Sequence, residues 1–273
     1  MRSYFFIPAS NKKFLEKVTT LAADYLIFDL EDSILQDDLQ FSIDNISHIE
    51  AKNKCFVRIP WAVDNLRYSL QVIDRLKTVG YHQFVFPKIQ TQQELNVIVD
   101  VQSNLFNDKQ ILLIEHPKLL INLSEILDKF PFYGIALGSH DYANIMHMKH
   151  TAENLLWAKQ YILNYSKAYS VECIDIASMN VTDENAFREE CQHAYDLGFE
   201  GKMLIHPMQL KIMNTSKFYS EEEVELALFI QRKIKEIGGI ENFTVYKINE
   251  KIIEKPHLKR YLDILEQEGH GKI

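Results

Sequence analysis

Charged and polar side chains stand in small clusters directly after short apolar runs. Asp29, Glu31 and Asp32 follow one run, Arg58 sits in another, and Lys88 comes just after a third. Glu115-His116, Gly138-Ser139-His140-Asp141, Asp175 and His206-Pro207 repeat the arrangement. If these clusters meet, several carboxylates share one mouth and repel unless a cation sits among them. Carboxylate oxygens, with no Cys or His cage at metal-binding spacing, suit Mg2+ or Mn2+. Mg2+ takes few protein carboxylates and leaves room for water and substrate. Arg58 and Lys88 can then hold a substrate carboxylate or a developing oxyanion. Plainer readings stand beside these: Arg58 as a salt bridge to Asp29 or Glu31, Lys88 as a rim salt bridge, His206 as an oriented structural histidine.

The elements that position these groups follow from periodicity. Eight runs read as buried parallel strands: Tyr4–Ile7, Tyr25–Leu30, Cys55–Ile59, Phe84–Phe86, Ile111–Ile114, Tyr133–Leu137, Glu172–Ile176 and Met203–Ile205. Stretches with helical spacing alternate with them. Examples are Leu66 to Val79, Leu95 to Leu105, Leu119 to Leu127, Leu155 to Tyr169, and Ala186 to Leu197 before Gly198. Thr182 reads as an N-cap, with Asp183 and Glu184 as acidic first-turn residues of the helix it starts. Eight such repeats predict a (β/α)8 TIM barrel over residues 1–219, with its site at the C-terminal ends of the strands. Residues 220–273 read as a C-terminal helical extension, beginning with a charged helix near Ser220–Glu236. Neither nucleotide-loop signature, GxGxxG or GxxxxGK[ST], occurs.

Several segments resemble the citrate lyase β-subunit-like members of the HpcH/HpaI aldolase and citrate lyase superfamily. They are Arg2 to Pro8, Asp29-Leu30-Glu31-Asp32, Val57-Arg58-Ile59, Pro87-Lys88, Ile114-Glu115, Leu137 to Asp141, Gly198 to Pro207, and Lys251 to Pro256. The resemblance implies a Mg2+-dependent lyase acting on a carbon–carbon bond of a 3-hydroxyacyl thioester, such as citramalyl-CoA, malyl-CoA or a citryl thioester. It implies Glu115 and Asp141 as metal ligands and Arg58 as the substrate contact. Glu31 and Asp32 are implied as acids supporting the reaction, and Lys88, Gly138 and Ser139 as substrate-binding positions. Glu254 would be an acid delivered from a neighbouring subunit of a homotrimer or homohexamer. As an ordinary surface acid, it would instead cap the helix starting near Pro256. The chain departs from the family pattern at Ala9, Pro60, His116, His140 and Glu254, which replace Gly, Asn, Thr, Glu and Asp. Two other readings are an aldolase acting on free 4-hydroxy-2-keto acids and a non-catalytic binding protein on the same barrel.

Composition narrows the class. The 273 residues carry a formal charge of −8, which disfavours non-specific nucleic-acid binding. Hydrophobic residues make up 47%, enough for a substantial core. No run approaches the ~20 apolar residues of a membrane span, and the apolar run before Pro8 is too short for a signal peptide. Cys55, Cys173 and Cys191 lie far apart, which fits reduced thiols in the cytoplasm. Arg2, Lys12 and Lys13 are the early cations available to a phosphate of the thioester carrier, CoA or acyl carrier protein.

Overall fold

The computed structural model describes residues 1–101, 104–248 and 251–269. It divides into two compact units, Met1–Ser216 and Lys217–Ile273.

In the first unit eight parallel strands close into a barrel in sequence order. They are β1 (Arg2–Pro8), β2 (Tyr25–Asp29), β3 (Cys55–Arg58), β4 (Phe84–Phe86), β5 (Gln110–Ile114), β6 (Gly134–Leu137), β7 (Glu172–Asp175) and β8 (Gly201–Leu204). β8 pairs back onto β1, with Arg2 opposite Gly201. Each predicted apolar run thus contributes a barrel strand. Tyr4, Ile27, Phe56, Val85, Ile111, Leu113, Ala136, Ile174 and Met203 fill one buried cluster. Strand side chains alternate between faces, so two residues beyond each of these the chain again faces inward. Asp29, Arg58, Glu115 and Gly138 occupy those positions, so the strand period itself aims them into the mouth.

Helices cover the barrel and follow the predicted stripes with two differences. The stripe from Leu95 ends as the helix Gln92–Val101, and Leu105 opens a separate short 3-10 turn. The stripe Leu119–Leu127 is broken at Asn122 into the helices Pro117–Ile121 and Leu123–Leu127. The helix Glu184–Leu197 is capped by Asp183 rather than Thr182, one residue later than the sequence suggests, because it is the Asp183 carboxylate that accepts from the amides of Asn185 and Ala186. It ends at Gly198 with φ +100°, a left-handed turn that a side chain would strain.

The second unit pairs the helices Glu221–Glu236 and Lys255–Gln267 with a short antiparallel ladder, Tyr246–Ile248 against Lys251–Ile253. Leu226, Ile230, Ile234, Phe243, Ile253 and Leu258 form its core. Ser220 and Glu223 make a reciprocal capping box at the first helix. No described helix is long and apolar enough to cross a membrane.

Candidate active site

At the mouth Arg58 is the hub. Its Nε and Nη2 donate to the two oxygens of Asp29, both at 2.7 Å. The strand register accounts for this, since Asp29 and Arg58 are partners at the ends of β2 and β3. Nη1 faces Glu31 Oε2 at 3.0 Å and Asp32 Oδ2 at 3.2 Å. The guanidinium also lies 5.4 Å from the centre of the Phe6 ring. Asp29 accepts from the amides of Glu31 and Ser33 as well, so the buried acid shapes the loop carrying the other two. Lys88 Nζ pairs with Glu31 and, at 3.0 Å, with Asp32. The plainer readings of Arg58 and Lys88 as salt-bridge partners therefore describe real contacts.

Two of these acids differ in environment. The Glu31 side chain is 6% exposed and that of Asp32 52%. Burial pushes Glu31 up to about 7 against the pull of Arg58 and Lys88. For Asp32, hydrogen bonds from Lys88 and Glu31 and the charge of Arg58 outweigh burial and hold it below the usual range.

Glu115 stands across the mouth, 3% exposed. Its Oε2 accepts the backbone N–H of Lys88 at 2.5 Å. Lys88 adopts φ +55°, and this uncommon left-handed turn after Pro87 points its amide at the carboxylate. Burial, together with the charges of Glu31 and Asp141, pushes Glu115 up to about 7. A Cβ on Gly138 would fall inside the Glu115 side chain, so only glycine lets the start of the helix Ser139–Ile145 pass that close. Asp141, on that helix, makes no hydrogen bond or ion pair with another described residue. Among the described residues no group of three or more His, Cys, Asp or Glu could enclose a metal. Two carboxylates, one buried and repelled by the other, instead fit an ion that leaves most of its coordination to water and substrate. Glu115 and Asp141 would hold such an ion, and it would polarise a substrate oxygen.

Ser139 is buried, and its Oγ lies 2.9 Å from His150 Nε2. The His150 ring stacks on His140 with centroids 4.0 Å apart. His150 escaped sequence reading because it follows the helix rather than a strand, and only the chain's return brings it to the rim. Asp29 was legible in the sequence as a partner of Arg58 but not as the anchor of the acidic loop.

The structure moves Asp175 and Arg2 away from the mouth and places the other sequence-predicted groups as follows. Asp175 does not join the mouth: Ile174 faces inward, so Asp175 faces the helical layer, where Lys159 and Lys202 pair with it at 2.6 and 2.7 Å. Arg2 opens β1 at the opposite end of the barrel and pairs with Glu172, which removes it from any phosphate contact at the mouth. His116 is the N-cap of the helix Pro117–Ile121, accepting from Lys118 N at 3.0 Å. His206 does the same for Pro207–Thr215, as its structural reading requires. Lys12 lies over the Phe41 ring, and Lys13 is exposed. Glu254 is exposed at the start of the helix Lys255–Gln267 in the second unit, and its amide donates to His257 Nδ1.

A closed eight-stranded parallel barrel places this protein among (β/α)8 barrel proteins, with the candidate site, acids around the largely buried Arg58, at the strand ends. The chain belongs to the HpcH/HpaI aldolase/citrate lyase family, whose model matches residues 2–207. It is 27% identical to the (3S)-malyl-CoA thioesterase of Cereibacter sphaeroides, over 94% of this chain and 90% of that one. It is 25% identical to the citrate lyase subunit beta of Escherichia coli, over 95% and 90%. Among solved structures, protein CitE from Mycobacterium tuberculosis, in complex with magnesium, acetoacetate and coenzyme A, superposes with a TM-score of 0.81. That match covers 98% of both chains at 19% identity.

Proposed function

We propose that this protein is a Mg2+-dependent lyase that cleaves, or forms, the C2–C3 bond of a 3-hydroxyacyl-CoA thioester by a retro-aldol or Claisen-type reaction. The observation that carries the reading is Glu115, buried under Gly138 and repelled by the charge of Asp141, an acid with no ion pair among the described residues. Arg58 and Lys88 are already engaged by Asp29, Glu31 and Asp32, so the carboxylates of Glu115 and Asp141 call for a cation from solution. Mg2+ fits the donor set, Mn2+ is a close substitute, and the ion supplies Lewis-acid polarisation of the substrate. The relatives' names support a thioester over a free hydroxy-keto acid.

Arg58 and Lys88 receive the substrate's acidic group. Asp32 is the partner that yields, because it is half exposed whereas Asp29 and Glu31 are buried. Arg58 keeps its two-point grip on Asp29 and offers Nη1, so Asp29 serves as its positioning residue. The 3-hydroxyl proton passes to Glu31, the C2–C3 bond breaks, and C3 becomes a carbonyl. The pair of electrons left on C2 takes up a proton, for which Glu254 of a neighbouring subunit is the acid. A homotrimer or homohexamer supplies that neighbour. Gly138 and Ser139 line the substrate's approach, with Ser139 fixed by His150. Three buried free cysteines fit a reducing compartment such as the cytoplasm.

A second reading has support in the thioesterase relatives: hydrolysis of the thioester at the same site, with water attacking the acyl carbon. Product analysis separates the two. Incubation with malyl-CoA and citramalyl-CoA, with Mg2+ or with EDTA, should give a 2-keto acid such as glyoxylate or pyruvate plus acetyl-CoA. Free CoA with malate or citramalate would assign hydrolysis instead, and turnover in EDTA would refute the metal.

A further inference from the structure

We infer that His150 is a positioning residue for the metal site: through the Ser139 hydroxyl it clamps the helix turn that carries Asp141. The inference rests on the cation proposed between Glu115 and Asp141.

The helix Ser139–Ile145 is short, and its start lacks a side-chain fastening. Its N-cap is Gly138, which has no side chain to accept from the first amides. No larger residue fits there, because a Cβ would fall inside the Glu115 side chain. Asp141 lies in this first turn. It has no hydrogen bond or ion pair of its own among the described residues, so its carboxylate is placed only by the turn that bears it.

The residue after Gly138 supplies a different fastening. Ser139 is 5% exposed, and its Oγ lies 2.9 Å from His150 Nε2. The exposed His150 ring also lies flat on that of His140, with centroids 4.0 Å apart and 2° between the planes. One side chain thus holds two consecutive residues of the turn, directly before Asp141.

His150 is itself fixed from both sides. Behind the helix, His147 adopts φ +52° and the chain turns back. The amide of His147 donates to the Asn144 carbonyl at 3.1 Å and that of Met148 to the Ala143 carbonyl at 3.0 Å, the paired bonds of a Schellman stop. Ahead of His150, Asn154 Nδ2 donates to the Lys149 carbonyl at 2.9 Å, and Thr151 caps the helix Ala152–Tyr169. The clamp therefore ties Asp141 to an 18-residue helix that packs on β6 and β7. Groups that orient a ligand from outside set metal affinity without touching the metal.

The test is calorimetric titration of Mg2+ into the EDTA-stripped and dialysed full chain, with a thermal melt to show that each variant folds. His150→Phe keeps a ring on His140 and loses Nε2, and Ser139→Ala removes the other end of the contact. Each should weaken Mg2+ binding about tenfold in the folded protein. The double variant should lose no more than either single one, because both break one link. Wild-type affinity in the folded single variants, or losses that add in the double variant, would overturn the clamp while leaving the metal site standing. No saturable binding in the wild type would remove the metal reading and the clamp with it. Should His150→Phe fail to fold, His150→Asn, too short to reach Ser139, replaces it with the same outcomes.

Discussion

Arg58 shows how a single side chain can be structural and functional together. Its largely buried guanidinium holds Asp29 at two points, and a lysine has no fork to reproduce that. Arg58→Lys should fold, lose the grip that orders the acidic loop, and lower kcat/KM on the identified thioester by on the order of a hundredfold. Steady-state kinetics with a thermal melt as control check this, and near-wild-type kcat/KM would count against the role. Glu115 gives a pH-dependent signature. Its carboxyl is raised from 4.5 to about 7 in the folded protein by burial and by neighbouring acids. The stability this confers is complete below the unfolded value, near 4.5, and is lost as pH rises through about 7. In EDTA, wild type should therefore lose roughly 3 kcal/mol more than Glu115→Gln over that interval. Urea unfolding at a series of pH values measures it, and parallel profiles would contradict the burial argument. Residue types and positions were legible in the sequence because each follows an apolar run. Which of Asp29 and Glu31 holds Arg58 at two points, and the stacking of His140 on His150, were not, since both depend on distances that only closure of the barrel sets.

Strands and helices were legible to a degree that follows from their physics. Buried parallel strands need continuous apolar runs, and all eight runs form the barrel. Helix ends were less certain, because caps depend on local hydrogen bonds more than on the stripe. Asn122 breaks a stripe that reads as continuous, and the Leu95 stripe ends before Leu105. Asp175 shows the sharpest limit. A strand end can be recognised from sequence, but whether its last residue faces the mouth or the helices is a matter of one-residue register. The cap at Asp183 belongs to this scale. Asp183→Ala should cost about 1 kcal/mol by removing the acceptor for two amides. Because the Asp183 carboxylate bonds amides of its own helix and none of the groups placed at the mouth, turnover should be unchanged. Chemical denaturation and a rate assay read the two effects separately, and loss of turnover without loss of stability would show that the cap does more than hold the helix.

For the molecule as a whole, Glu254 is carried by the C-terminal unit, while the rest of the candidate site is carried by the barrel. We propose that the acid serves a neighbouring subunit, and mixing tests this directly. Glu254→Gln and Asp141→Asn proteins, each inactive alone, should regain partial activity after dissociation and joint reassembly. No recovery despite demonstrated mixing, or a strictly monomeric protein, would remove the shared site. The central claim remains the cation between Glu115 and Asp141. The buried carboxylate, the glycine that admits it and the unpaired neighbour all depend on it for their purpose. Calorimetric titration of Mg2+ into the EDTA-stripped and dialysed protein, beside folded Glu115→Gln/Asp141→Asn, tests it most directly. Saturable binding in the wild type that disappears in the double variant is the predicted result, and equal binding in both proteins would contradict the account.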